Sequence, residues 1–295
     1  MGRDVKGKMR VLLAVLLTGE ALCAADAFSH FRPAGGDVRY VAHAGEEGLA
    51  PKHTLAAYRF AVEHRCDYLK LDVRETADGV IVLQHDGDLK AVYGTNVVIA
   101  ASTLEELRRF RASKGQARDQ RICTLPEALA LAKGMHGVWI DFKFFTPAFA
   151  EKVFAEIAAA GIGEDRVIVG TWSKPALAHV RTHHPHALRV AHTNIREKDG
   201  RWTTNSGDRK AYETPEALAD GILARCRKDG IQGLNLPTGS TGSCAATPDW
   251  MLRKFKDAGL FVSVWFVYDP ATGRRYRPTA ADAFVMRDVS ATGKE

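Results

Sequence analysis

The 295-residue sequence predicts an α/β fold, a TIM (β/α)8 barrel with a hairpin inserted after its second strand. Three observations predict it. Short apolar runs of strand character recur eight times, helices with clear start signals lie between them, and no break in composition divides the chain into domains. A doubly wound open sheet would share the first two features. However, no Gly-x-Gly-x-x-Gly follows the first strand, which speaks against it.

The first 27 residues read as a signal peptide. Arg3, Lys6, Lys8 and Arg10 precede an apolar run over 11–17, and Ala25-Asp26-Ala27 offers small residues for cleavage. That run is far short of the roughly 18 residues needed to span a bilayer. The expectation is therefore a secreted or periplasmic protein without a stable membrane span, with residues 28–295 forming the barrel. Strands are expected at 39–43, 68–73, 138–142, 167–171, 188–191, 231–236, 261–267 and 283–287.

Between them, Thr54 opens a helix, Ser102 and Thr103 each have a Glu three residues on, and Thr124-Leu-Pro-Glu127 is a capping box. Thr214-Pro215 and Thr247-Pro248 place a cap before a proline. Gly134, Gly161 and Gly259 close helices ahead of the next strand.

The stretch 68–89, YLKLDVRETADGVIVLQHDGDL, reads as a hairpin. With Asp78-Gly79 as a two-residue turn, Asp72 would face His85, a carboxylate set to orient an imidazole. The polar segment 193–230 follows the fifth parallel strand, and as a long loop on the C-terminal face it is expected to cover the site found there.

Lys and Arg number 41 against 35 Asp and Glu, a formal charge of +6. The excess is mild and forms no dense basic run, so it suits a small anionic substrate and not nucleic acid. Past the leader the cysteines are Cys66, Cys123, Cys226 and Cys244, with no Cys-x-x-Cys pair. In an oxidising compartment a Cys226–Cys244 disulfide is the simplest pairing, with other pairings open.

The C-terminal ends of barrel strands converge on one pocket. The residues expected there are His43, Lys70, Asp72, His85, Asp141 and Lys143, with Trp172, Asn235 and Trp265 lining the wall. Two histidines can share the proton transfers of phosphodiester cleavage while lysines neutralise phosphoryl oxygens. Glu46 and Glu47 read as solvated loop acids, and His183, His184 and His186 as a solvated turn around Pro185.

At these residues the chain resembles the glycerophosphodiester phosphodiesterases. Their pattern runs His-Arg-Gly, Pro-Glu-Asn-Thr, Glu-x-Asp-Val, Thr-x-Asp-Gly, His-Asp and a later Glu-x-Lys. Here it reads His43-Ala44-Gly45, Pro51-Lys52-His53-Thr54, Lys70-Leu71-Asp72-Val73, Thr76-Ala77-Asp78-Gly79, His85-Asp86 and Asp141-Phe142-Lys143. The resemblance implies a barrel hydrolase with His43 and His85 as its acid and base.

It also implies a divalent cation, calcium or magnesium, held by acids at four positions. Two of those are now Lys52 and Lys70, and ammonium groups repel such an ion. No metal or other cofactor is therefore expected: Lys52, Lys70 and Lys143 would bind the phosphate, supported by Asp72 and Asp141. The implied substrate is a glycerophosphodiester or lysophospholipid-like ester, cleaved by a monomer. The rival is a non-catalytic phosphate-ester-binding protein of the same fold.

Overall fold

The computed structural model describes residues 28–33, 37–112, 117, 119–204, 210–268, 276 and 281–289. The leader expected over 1–27 lies outside them. Twelve strands form among these residues: β1 (Arg39–His43), β2 (Tyr68–Glu75), β3 (Ile81–Leu83), β4 (Gly137–Phe142), β5 (Val167–Thr171), β6 (Leu188–His192), β7 (Arg196–Lys198), β8 (Arg201–Thr203), β9 (Ala211–Tyr212), β10 (Gly233–Pro237), β11 (Phe261–Val267) and β12 (Ala283–Met286). Eight of them are parallel and close into a barrel, because β1 pairs with β2 on one side and β12 on the other. The helices are α1 (Leu55–Glu63), α2 (Lys90–Tyr93), α3 (Leu104–Leu107), α4 (Leu125–Ala132), α5 (Pro147–Ala159), α6 (Lys174–His183), α7 (Pro215–Asp229) and α8 (Asp249–Asp257). None is long and apolar enough to cross a membrane.

Strand alternation sorts the side chains into two cores. Leu69, Leu71 and Val73 of β2, with Val138, Ile140 and Phe142 of β4, point outward and pack in the large cluster under the helices. Their neighbours Tyr68 and Trp139 point inward and meet Val41, Ile168, Leu188, Val190, Phe261 and Val285. Phe31, from a short 3-10 turn (Ser29–Phe31), is fully buried in this inner cluster and stacks near Tyr68, with ring centroids 6.4 Å apart. The inner positions nearer the strands' C-terminal ends are polar: Lys70, Asp72, Asp141, His192, Asn235 and Ser263 are all buried.

Most helix starts are those expected. Thr54, Thr103, Thr124 and Thr214 cap α1, α3, α4 and α7. Thr247 does not cap α8; its hydroxyl donates to the Pro237 carbonyl at 3.0 Å, and Pro248 takes the cap position.

The hairpin differs in register. Thr76 N–H donates to the Val80 carbonyl, so three residues, Ala77-Asp78-Gly79, make the turn, with Gly79 at φ +78°. An odd loop with a left-handed third residue shifts the pairing by one. Val73 therefore faces Leu83, and the Gln84 N–H reaches the Asp72 carbonyl at 2.9 Å. Asp72 is thus not opposite His85.

The long insertion is not a bare loop. Strands β7, β8 and β9 form a small antiparallel sheet, and the Tyr212 ring packs on α7 at Gly221, where an added Cβ would lie 2.2 Å from the hydroxyl. No described residue of it lines the pocket at the strand ends, so the expected cover is not found there. Cys226 and Cys244 are buried separate thiols, and no disulfide joins them.

Gly170 has a specific packing role. Trp139 donates its indole N–H to the Gly170 carbonyl at 3.2 Å, and a Cβ on residue 170 would lie 2.1 Å from that nitrogen. Gly134 has open space around it and a φ outside the left-handed region. Gly170→Ala is expected to destabilise by about 1–3 kcal/mol, the usual cost of overpacking a tight core, while Gly134→Ala stays near neutral. Urea unfolding of the two variants checks this.

Candidate functional site

Alternation along β2 and β4 places Lys70, Asp72 and Asp141 on the inner wall in adjacent register, with Asp72 level with Asp141. The Lys70 ammonium donates to Asp72 Oδ1 and, at 2.9 Å, to Asp141 Oδ2. Lys143 donates to the same Asp141 oxygen at 2.9 Å and lies 3.3 Å from Asp72 Oδ2. Burial opposes ionisation of both carboxyls. Lys70 and then Lys143 overcome it and hold them well below the usual carboxylate range. Burial likewise opposes a charge on Lys70, but Asp141 and Asp72 outweigh it and push its pKa up. The four groups form a closed, internally neutral set.

Two histidines that sequence reasoning missed complete this set. His53 Nε2 lies 3.4 Å from Asp72 Oδ2, and His192 Nε2 donates to Asp141 Oδ2 at 3.2 Å. Burial pushes the His53 ring down to about 3 and lowers His192 as well, so both are neutral at pH 7. The His192 tautomer is held by a relay: Ser263 Oγ–H donates to Asn235 Oδ1 at 2.9 Å, and Asn235 Nδ2–H donates to His192 Nδ1 at 2.9 Å. Trp139 stacks parallel to the His192 ring at 6.1 Å.

His53 reaches Asp72 because its backbone is left-handed, φ +61°. The position that the resemblance assigns to Asn tolerates His for the same reason, since both types are enriched there. His192 was detectable by the rule that found His43, for it ends a barrel strand, but that strand was expected to stop at residue 191.

Above this set lies a pocket of about 210 Å³. His43, Lys70, His85, Asp141, Lys143, Trp172, Asn235 and Trp265 line it, together with His192, Phe266 and Val285. Trp172 stands 46% exposed at its mouth. Trp265 donates its indole N–H to the Asn235 carbonyl at 3.2 Å. Lys52 is not part of this lining, and among the described residues it makes no ion pair of its own. His53, the next residue, turns inward instead.

The two histidines expected as acid and base each hold a carboxylate at Nδ1. His43 Nδ1 meets Glu47 Oε1 at 2.6 Å, and Arg287 donates to Glu47 Oε2 at 2.6 and 2.9 Å. His85 Nδ1 meets Asp86 Oδ1 at 2.8 Å. Burial lowers His43 despite the Glu47 hydrogen bond, and Glu47, although burial opposes it, is held down at about 2 first by His43 and then by Arg287. Glu46 and Glu47 are therefore not solvated loop acids. Glu46 is fully buried and accepts the backbone N–H groups of Gly48 (2.7 Å) and Val289.

The class is a TIM barrel whose strand ends hold one pocket lined by two carboxylate-paired histidines and two aspartate-bound lysines. The glycerophosphoryl diester phosphodiesterase family model matches residues 43–290, and the chain belongs to that family. It is 30% identical over 153 residues to a glycerophosphodiester phosphodiesterase of Bacillus altitudinis, covering 49% of this chain and 62% of that protein. It is 31% identical over 121 residues to a glycerophosphodiester phosphodiesterase of Arabidopsis thaliana, covering 39% of this chain and 37% of that one. The match thus spans less than two thirds of these relatives' length.

Among solved structures the fold is similar to a glycerophosphodiester phosphodiesterase of Agrobacterium tumefaciens, with TM-score 0.66, 20% identity, and 86% and 98% of the two chains covered. It is also similar to an Oleispira antarctica phosphodiesterase in complex with the product sn-glycerol-3-phosphate, with TM-score 0.68, 18% identity, and 91% and 98% covered.

Members of the family often use a divalent metal. The donor set of this chain does not fit one at the expected position: Lys70 sits hydrogen-bonded between the two remaining carboxylates, where an oxygen-ligated cation would need them.

The buried histidines make stability depend on pH. His53 titrates near 6.5 when unfolded and near 3 when folded, so the unfolded chain takes up the extra proton. Its contribution is complete above about pH 6.5 and is lost as pH falls toward about 3. His43 and His192 act in the same direction. Asp72 and Asp141 add a further loss that begins as pH falls through the ordinary carboxylate range and continues below it. Urea midpoints should therefore fall between about pH 7 and pH 4.5, and His53→Gln should flatten that slope. An equal slope in the variant would remove His53 from the account.

Proposed function

We propose that the chain cleaves a small glycerophosphodiester or lysophospholipid-like ester by two-histidine acid/base catalysis, without a divalent ion. The observation that carries this is the Lys70–Asp72–Asp141–Lys143 set under a pocket shared by His43 and His85. The family and the glycerol phosphate product in the Oleispira relative support the substrate class.

Each lysine ammonium carries three N–H donors, and each spends at most two on the aspartates. One donor from each remains for a phosphoryl oxygen, fixed in position before substrate arrives, which is how charge developing in a transition state is best stabilised. Lys52 has no part in this. Glu47, pinned by Arg287, holds His43 with Nδ1 as donor and leaves Nε2 as the base for the attacking hydroxyl. Asp86 meets His85 at Nδ1 as well, so a ring that enters the reaction doubly protonated carries its second proton on Nε2, from which it passes to the departing alkoxide. Two oriented rings favour turnover over binding alone. The leader read in the sequence would place this activity outside the cytoplasm.

Purified protein is assayed on a glycerophosphodiester such as glycerophosphocholine, with and without EDTA. The native rate should be unchanged by chelation. His43→Ala and His85→Ala should each lose about 10²-fold or more, the usual contribution of a general acid or base. Unaltered turnover in either variant excludes that histidine, and EDTA inactivation reversed by calcium or magnesium excludes metal independence.

A further inference from the structure

On the outside of the barrel, α5 and α6 bring together a second set of coordinating groups, sharing no residue with the pocket. Glu151 on α5 and His179 and His183 on α6 each present one ligand atom, all within 4.8 Å of one another. His179 and His183 are one helical turn apart, so their rings share a face, and they stack with centroids 4.1 Å apart.

His183 Nδ1–H donates to the His179 carbonyl at 3.0 Å. That bond fixes the tautomer and leaves the Nε2 lone pair available, the arrangement that orients a metal-binding imidazole. Glu151 Oε1 lies 2.7 Å from His179 Nε2 and 3.3 Å from His184 Nε2. His184 is not part of a solvated turn: it is buried, stacks on Phe154 with centroids 3.5 Å apart, and its Nδ1 meets Glu164 at 2.7 Å. A ring locked on both sides thus braces the carboxylate from behind.

We propose that Glu151, His179 and His183 bind a divalent transition ion such as zinc, nickel or copper, tying α5 to α6. Two imidazole nitrogens and one carboxylate suit these ions and are a poor set for calcium or magnesium, which need mostly oxygen ligands. Three protein ligands leave a coordination position for water. Because the ligands come from two helices, the ion stabilises the folded state over the unfolded one, where the pairing of α5 with α6 is lost.

The test uses full-length protein stripped by chelator and dialysed, with zinc chloride as the probe. Calorimetry should show one saturable site, and the thermal midpoint should rise with zinc but not with magnesium or calcium. His183→Ala, exposed on its helix, and Glu151→Gln should each weaken zinc about tenfold or more. The double variant His179→Ala with His183→Ala should lose the midpoint shift. Absence of saturable zinc binding overturns the proposal, and so does undiminished affinity in the double variant, which would put the ion elsewhere.

Discussion

The Lys70 ammonium between Asp72 and Asp141 is the interaction on which the rest of the site depends. Only 3% of Lys70 is exposed and the two aspartates are at 0% and 2%. None of these charges could stand there alone, because an unpaired buried ion costs far more than folding can supply. Together with Lys143 they cancel. Removing one member leaves a buried charge without its partner, a loss of about 3–5 kcal/mol for such sites. The barrel provides the geometry: adjacent parallel strands in register put Asp72 level with Asp141, and alternation turns both inward.

That neutral set also changes how the pocket treats an anion. A bound divalent cation would add net positive charge beside the phosphate. Here the charges of Lys70 and Lys143 are already spent on Asp72 and Asp141, so under the proposed function the two lysines act through directed N–H donors and not through net charge. Arg287 is likewise engaged by Glu47, and its guanidinium lies 5.8 Å from the Phe266 ring, which itself meets His43 edge-on at 4.5 Å. His43 is thus held by a carboxylate and an aromatic wall together.

Much of this was legible in the sequence, and the failures have physical reasons. Strand character and capping residues located the barrel because both are local signals: β5 and β11 have the expected bounds, and Thr54, Thr103, Thr124 and Thr214 cap as read. Strand-end position put His43, Lys70, Asp141 and Lys143 around one pocket. The hairpin register was missed because Asp78-Gly79 fits both two- and three-residue turns, and only the Thr76–Val80 hydrogen bond decides. Lys52 is expected in the pocket and His53 is given no role, whereas His53 is the residue that turns inward, because direction there depends on a left-handed φ that the residue types do not dictate. The Ser263–Asn235–His192 relay joins residues up to 71 positions apart and rests on parallel register across three strands, which no local pattern reveals.

The proposed metal independence requires that Lys70 occupy the place of a cation. Calorimetric titration of calcium into native protein and into Lys70→Glu separates the possibilities, with circular dichroism to show that the variant is folded. The native pocket should bind no calcium, and the variant should gain a saturable site, where a third carboxylate joins Asp72 and Asp141. Calcium binding to native protein that Asp72→Asn and Asp141→Asn abolish would contradict it.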